Sequence, residues 1–244
     1  MKGTVLYNRL AGYYDKIFIF KNYKMEVDFI LQIFKKYKIK VRNILDVGCG
    51  TGSHDKLLSL KGFNVTGVDV SEDMLDIAKK KVRKGVFLKG DMKNLNTVVS
   101  KEYDAVLLMY NSIGYNTNKR DFRKTLKGVY NHLRKGGVLI FDLSTKERNG
   151  SYTRNYFFSD KNLFGFKHLD SRIGKGVIVN SSDYLIKDGF NFIVVRNDIQ
   201  RFGLYTDKEV KFMMKREGFK TVVFHGWSFK KRKSRASIFV GFKS

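Results

Sequence analysis

Apolar positions change their spacing along the chain, and the spacing predicts its elements. In the first forty residues, apolar side chains recur every three or four positions, which is typical of one face of a helix. They form two stripes: Leu6, Leu10, Tyr14 and Ile17, then Val27, Ile30, Leu31 and Phe34. Short apolar runs then alternate with helical segments and predict five strands, at 43–47, 64–69, 86–88, 103–109 and 138–143. This alternation is typical of a parallel sheet with helices on both faces.

The alternation ends after about residue 145. Residues 151–203 have no helical period and contain β-rich runs separated by polar and glycine-containing turns, which indicates an antiparallel meander. A capping box at Thr206 and Glu209 begins the last helix, and two strands at 219–224 and 237–242 follow it. We therefore predict an α/β fold, with a Rossmann-like, mostly parallel sheet and an antiparallel β insertion after strand 5.

Composition limits the class of protein. The chain has 244 residues, which suits one elaborated domain, and no apolar run approaches the ~20 residues that span a bilayer. Cys49 is the single cysteine, so an intrachain disulfide is excluded. We also find no apolar stretch typical of a signal peptide near residue 1. These features predict a cytoplasmic protein without a membrane partner.

The charge is strongly positive. Lys and Arg number 48 against 23 Asp and Glu, a formal net charge of +25. Such a surface attracts anions, whether nucleic acid, phosphorylated metabolites or acidic lipid. A lysine-rich composition that keeps the protein in solution explains the charge equally well, because the lysines are spread along the whole chain.

The densest motif is a glycine-rich turn at residues 46–52, Asp-Val-Gly-Cys-Gly-Thr-Gly. It follows the first predicted strand and opens a helix, where glycines let the backbone approach a ligand and helix N–H groups hold an anion. Acids recur after the next two strands, at Asp69 and Asp91. An acid after strand two suits ribose hydroxyls, and Asp91 could accept a hydrogen bond from an adenine amino group. The motif predicts a nucleoside site at this edge of the sheet.

Here the sequence resembles the class I S-adenosylmethionine-dependent methyltransferases. The resemblance rests on residues 44–52, 68–75, 89–92 and 133–137, and it covers residues 1–145 well and the final strands loosely. It implies S-adenosylmethionine as the cofactor. The methionine part would lie beside Gly48, Gly50 and Gly52, the ribose on Asp69, and the adenine against Met92 and Asp91. Further cofactor-binding residues that we expect are Asp46, Cys49, Val70, Met74, Met109 and Tyr23.

A narrower resemblance is to the N-methyltransferases that act on nucleotide-linked amino sugars. It rests on residues 10–17, 21–26 and 111–115 and on His54 after the glycines, and those enzymes also carry an antiparallel insert. It implies a small, anionic acceptor whose amino group is methylated. Ser112 and Asp142 are the substrate-binding residues that we expect. His54 at a helix start is equally consistent with a purely structural role.

The resemblance also implies a division of the chain. Residues 1–145 would form the cofactor-binding core with an N-terminal helical cap, and residues 146–204 an antiparallel lid over the substrate. Residues 205–244 would supply the last helix and the two strands that complete the core sheet.

Methyl transfer needs positioning more than activation. A sulfonium methyl is already electrophilic, so holding a nucleophile in line with it can supply ~7–11 kcal/mol. An amine must be neutral to attack, and a nearby hydrogen-bond acceptor can orient or deprotonate it. Tyr14 and Tyr115 are our candidate catalytic residues. Half-buried packing is the alternative for both, since the chain has 13 tyrosines.

A basic turn at residues 230–235 separates the last two predicted strands. If the preceding strand is parallel to the others, this turn lies beside the substrate mouth. Arg235 is our candidate for a phosphate, because its planar fork suits bidentate contact. A solvated hairpin tip is the alternative.

Two other functions stay open. The first is an RNA methyltransferase, favoured by the charge, although no separate RNA-binding module is evident. The second is a cofactor-binding protein without catalysis. No residue spacing suggests a metal site, and a homodimer is neither indicated nor excluded.

Overall fold

The computed structural model describes residues 4–148, 150–229 and 236–244. Within these ranges the α-helices are Tyr14–Ile17 (α1), Tyr23–Lys36 (α2), Ser53–Leu60 (α3), Glu72–Lys81 (α4), Lys119–His132 (α5) and Asp207–Arg216 (α6). The first strands are Asn43–Val47 (β1), Asn64–Asp69 (β2), Val86–Lys89 (β3), Tyr103–Leu108 (β4) and Leu133–Ser144 (β5). The later strands are Tyr152–Asp160 (β6), Leu163–Gly174 (β7), Val177–Asp188 (β8), Asn191–Gly203 (β9), Phe219–His225 (β10) and Ala236–Lys243 (β11).

The larger sheet has seven strands in the order β10-β11-β5-β4-β1-β2-β3. β11 is antiparallel to both of its neighbours, and the pairs among β1 to β5 are parallel. Apolar side chains of α2, α3 and α4 pack on one face and those of α5 and α6 on the other. The predicted fold class is confirmed, and β10 runs parallel to β5.

The smaller sheet, which we call the insert, consists of β6 to β9 in sequence order and is antiparallel throughout. It follows β5, as the sequence predicts. Along most of β7, buried side chains alternate with more exposed ones, which is expected of a sheet covered on one side. Its role as a substrate lid and the exact domain bounds stay predictions.

Residues 4–20, which we call the cap, differ from the prediction. The spacing indicates a helix, but the structure has two 3₁₀ turns, Val5–Tyr7 and Ala11–Tyr13, followed by the single turn of α1. Leu6, Leu10 and Ile17 are nonetheless buried, because they pack against Phe158, Leu163 and other apolar residues of the insert. Contacts with the insert bury these apolar side chains, although the cap does not form a regular helix.

Hydrogen bonds join the cap to the insert. Asp198 of β9 accepts from the backbone N–H groups of Val5 at 2.9 Å and Leu6 at 3.2 Å. The Tyr13 hydroxyl donates to Asp188 at 2.8 Å. The cap is therefore held between the insert and the carboxyl edge of the larger sheet. Within the part of the chain that the structure describes, no helix has the length and hydropathy to cross a membrane.

Candidate active site

The glycine turn between β1 and α3 has a left-handed backbone at all three glycines. Gly48, Gly50 and Gly52 have φ of +79°, +55° and +71°. A Cβ on Gly48 would lie 2.8 Å from the Ser112 Oγ, and one on Gly52 would lie 3.0 Å from the Ala78 Cβ, so both positions require close packing. A Cβ on Gly50 would meet nothing within 4 Å. Gly50 therefore leaves open space on the ligand side of the turn.

Asp69 ties the end of β2 to this turn. Its carboxylate accepts hydrogen bonds from the backbone N–H of Gly50 and of Ser71, each at 2.9 Å. Burial raises the pKa of Asp69, and the backbone hydrogen bonds oppose that rise. Each oxygen retains a lone pair, so the carboxylate can still accept from a ligand hydroxyl.

A cavity of about 310 Å³ opens at the carboxyl ends of β1, β2, β3 and β4. The structure brings most of the predicted site residues together in its wall. They are Tyr14, Tyr23, Gly48, Cys49, Gly50, Asp69, Val70, Met74, Asp91, Met92, Met109, Ser112 and Tyr115. Asp91 also caps the turn that follows β3, because its side chain accepts from the N–H of Lys93.

Three of the predicted residues that the structure describes do not line this cavity. Gly52 is the N-cap of α3 and packs on α4. Asp46 is buried behind the turn with no hydrogen-bond partner, and burial together with the charges of Asp55 and Asp69 raises its pKa. Arg235 lies outside the described residues.

Asp142 is the third of them. Its carboxylate accepts from the Asn111 N–H at 3.0 Å and so supports the loop at Tyr110 and Asn111, whose φ values are +57° and +62°. Burial raises the pKa of Asp142 to about 6. Asp142 therefore does not face the cavity, but it holds the backbone of Asn111, next to the wall residue Tyr110.

Both candidate catalytic tyrosines are in the wall. Burial raises the pKa of Tyr14 and of Tyr115 well above that of a free phenol, so both stay neutral near pH 7. The Tyr115 hydroxyl lies 2.5 Å from the hydroxyl of Tyr7, a cap residue that sequence reasoning missed. The backbone carbonyl of Tyr7 accepts from the Ser71 hydroxyl at 2.5 Å, which fixes the cap beside Asp69.

A buried charged group also lines the wall. The Lys21 ammonium bonds both oxygens of Glu26, at 2.7 and 2.8 Å, and Glu26 in turn lies 2.6 Å from the Nε2 of His54. Burial lowers the pKa of His54, which therefore stays neutral and contacts Glu26 as well as the cavity. Lys21 was missed as a site residue. The signal was present, since Lys21 opens the 21–26 motif.

The geometry defines a class of site. A glycine turn with open space at Gly50, an acid fixed at the end of β2 and a second acid after β3 form a nucleoside site on a Rossmann-like sheet. These residues fit the adenosyl group that the resemblance implies. Among the described residues, no group of three or more His, Cys, Asp or Glu side chains could hold a metal ion.

Comparison with known proteins identifies one domain of the chain. Residues 44–137 match the model of a family described as "Methyltransferase domain". These residues therefore form a class I S-adenosylmethionine-dependent methyltransferase domain, and S-adenosylmethionine is the cofactor of that class.

Among curated relatives, the chain is 39% identical over 123 residues to a glycine/sarcosine N-methyltransferase of Halorhodospira halochloris, covering 49% of this chain and 45% of that protein. It is 28% identical over 134 residues to the dTDP-3-amino-3,4,6-trideoxy-alpha-D-glucopyranose N,N-dimethyltransferase of Streptomyces venezuelae, covering 54% and 56%. The chain thus spans about half the length of these relatives. The crystal structure of Streptomyces venezuelae DesVI has the same fold, with a TM-score of 0.87 at 22% identity over 96% of this chain and 98% of that one.

Proposed function

We propose that the chain transfers a methyl group from S-adenosylmethionine to the amino group of a small anionic acceptor, a nucleotide-linked amino sugar. The observation that carries this proposal is a single cavity wall that holds an acid at the end of β2, Asp69, and two half-buried, neutral tyrosines, Tyr14 and Tyr115.

The cofactor half of the wall would bind the nucleoside. Asp69 would accept the ribose hydroxyls, and the open side of Gly50 would admit the chain that leaves the ribose. Asp91 and Met92 would contact the adenine at the end of β3. When bound, S-adenosylmethionine supplies an electrophilic methyl group on a positively charged sulfur.

The tyrosines would orient the acceptor. A neutral phenol oxygen can accept an N–H hydrogen bond, which leaves the lone pair of the amine free to attack. The Tyr115 oxygen already lies against the Tyr7 hydroxyl, so its position is fixed before the acceptor arrives. Holding the amine in line with the methyl group can lower the reaction barrier by ~7–11 kcal/mol.

Three observations support an anionic acceptor that carries an amine. The two curated relatives described above are both named as N-methyltransferases, and one of them is named for a dTDP-linked amino sugar. The net charge of +25 favours an anion. β10 ends at His225 and β11 begins at Ala236, both at the edge of the sheet where the cavity opens. A phosphate contact from Arg235, which we propose, requires the segment between these strands to begin and end at this edge. Ser112 would contact the acceptor directly and Asp142 through the loop at Asn111.

RNA methylation is the second candidate, because of the same charge. It predicts that affinity falls with salt by about 0.7 log units per log unit for each phosphate contacted on a single strand. A small acceptor predicts a much weaker salt dependence. A cytoplasmic location and a homodimer stay predictions.

The experiment has two stages. Calorimetry first measures binding of S-adenosylmethionine to the intact chain. Mass spectrometry then follows methylation of a dTDP-linked 3-amino sugar and of short RNA in parallel, with Tyr14→Phe and Tyr115→Phe as variants. We expect methylated sugar nucleotide from the wild type, slower turnover from both variants and unchanged cofactor affinity. Methylated RNA would favour the second candidate. Cofactor binding without turnover of any acceptor would identify a binding protein without catalysis.

A further inference from the structure

The cofactor that we propose has a charged end for which the sequence motifs name no partner. S-adenosylmethionine carries an α-carboxylate on the side of the sulfur remote from the ribose. A desolvated carboxylate needs a cation or several hydrogen-bond donors. Within the described wall, the lysine ammonium groups are those of Lys21 and Lys93.

Position separates these two lysines. Lys93 follows β3, pairs with Asp91 at 3.4 Å and keeps 28% of its side chain exposed. Lys21 lies by the first turn of α3, because it is joined through Glu26 to His54, the second residue after the glycine turn. β1 and β3 are two strands apart in the sheet, about 10 Å. Lys21 is thus on the glycine side and Lys93 on the adenine side.

Lys21 is prepared to receive a second anion. Its side chain is only 6% exposed, and its nitrogen lies 4.0 Å above the ring of Tyr110 and 5.0 Å from that of Tyr23, both of which line the cavity. An ammonium has three donors, and the two oxygens of Glu26 engage two of them. One donor is left for a ligand.

Glu26 and His54 fix the position of this ammonium. Burial tends to raise the pKa of Glu26, but the hydrogen bond with His54 and the charge of Lys21 outweigh it and lower that pKa, so Glu26 is a carboxylate. A carboxylate only accepts, so the neutral His54 must donate from Nε2. The three residues therefore form an electrically neutral unit that holds Lys21 against the cavity.

We propose that Lys21 binds the α-carboxylate of the cofactor, with Glu26 and His54 as positioning residues. This inference rests on the proposed function, since it names the partner of one end of the same cofactor.

Calorimetry with two ligands tests it without any methyl acceptor. S-adenosylmethionine is compared with its decarboxylated form, which keeps the sulfonium and the amine. We expect the wild type to bind S-adenosylmethionine about 10- to 100-fold more tightly, the range of one hydrogen bond to a charged group. In Lys21→Met the two affinities should agree within about threefold, since the loss falls on the carboxylate-bearing ligand alone.

Lys81→Met is the matched control. Lys81 is also a partly buried lysine in an ion pair, 2.6 Å from Asp15, and it bonds Thr51 and Ser53 beside the glycine turn, but it does not line the cavity. Its removal should leave the preference for S-adenosylmethionine intact. If loss of Lys21 alone unfolds the chain by leaving Glu26 buried and unpaired, the double variant Lys21→Met/Glu26→Gln removes both charges and must show the same loss of preference.

The outcomes separate the two proposals. Equal binding of both ligands by the wild type, or a preference that survives in Lys21→Met, would overturn the role of Lys21 while leaving the proposed function standing. A wild type that binds neither ligand would remove the proposed function and this inference together.

Discussion

The two sheets each contain a carboxylate that accepts two backbone N–H groups, with different consequences. Asp69, at the end of β2, accepts from Gly50 and Ser71 and lines the cavity. Asp198, in β9, accepts from Val5 and Leu6 and is 4% exposed behind the cap. The same chemistry lines a cavity at the parallel sheet and joins two segments of the chain at the insert.

The buried lysines repeat this contrast. Lys21, beside the parallel sheet, is paired with Glu26 and lines the cavity. Lys167 of β7 is 4% exposed and has no ion-pair partner among the described residues, with its nitrogen 4.6 Å from the ring of Phe18. Burial lowers the pKa of Lys167 to about 8, and the charge of Asp198 opposes the shift. Asp69 and Lys21 line the cavity beside the larger sheet, whereas Asp198 and Lys167 lie where the insert contacts the cap.

Asp69→Asn gives the largest expected effect and tests the parallel-sheet half of this contrast. The amide cannot accept from the Gly50 and Ser71 N–H groups and from a ribose at once. We expect affinity for S-adenosylmethionine to fall about 100-fold, close to 2.7 kcal/mol. Calorimetry measures it, with Asp198→Asn as control, whose affinity should stay within about threefold of the wild type. If both variants lost the same affinity for S-adenosylmethionine, Asp69 and Asp198 would not differ in their roles.

Asp198→Asn should instead act on stability. The amide leaves one of the two cap N–H groups without an acceptor, and hydrogen bonds to charged groups contribute about 1.5–3 kcal/mol. We expect the free energy of unfolding in urea to fall by about 2 kcal/mol, with the cap more susceptible to proteolysis. An unchanged midpoint would show that these two hydrogen bonds do not hold the cap.

Lys167→Met should stabilise the protein near pH 7. Below pH 8 the lysine is charged in both the folded and the unfolded state, so the cost of burying the charge is present in full. Between about pH 8 and the ordinary lysine pKa of 10.5 the folded state releases its proton first, so wild-type stability rises with pH. The shift sets an upper bound of roughly 3 kcal/mol, and ring contacts offset part of it, so we expect a gain of about 1–2 kcal/mol.

Denaturant unfolding of wild type and Lys167→Met at pH 7 and pH 9.5 measures this effect. The advantage of the variant should shrink as the pH rises. A variant that is less stable than the wild type at pH 7 would mean that Lys167 contributes more through its ring contacts than its burial costs.

Lys16→Met gives the smallest expected effect. Lys16 joins the cap to the insert by an ion pair with Asp160 at 3.1 Å, and both side chains are about half exposed. Exposed pairs typically contribute 0.2–1 kcal/mol and are screened by salt. We expect a change below about 0.5 kcal/mol that vanishes at high salt. A loss as large as that of Asp198→Asn would mean that charge, and not the backbone hydrogen bonds, attaches the cap.

Local sequence was sufficient for the strands of the larger sheet and for the acid at the end of β2. β1 and β2 have the predicted bounds. A short apolar run between turn residues is typical of a buried strand when helical segments flank it along the chain. The glycine turn was equally readable, since its left-handed backbone and close packing at Gly48 and Gly52 restrict the residue type. The fold class and the methyltransferase domain follow from these features.

The residues that contact the cap and Lys21 could not be predicted from local sequence. Leu6 and Leu10 are spaced as in a helix, yet they lie in and between short 3₁₀ turns because the insert, some 150 residues later, buries them. Tyr7 meets Tyr115 across 108 positions, and Val5 meets Asp198 across 193. Such contacts leave no periodic signal, because each depends on where two separate segments come to lie in the folded chain. The sequence alone therefore determined the nucleoside-binding edge of the sheet, and tertiary packing decided which residues cover it.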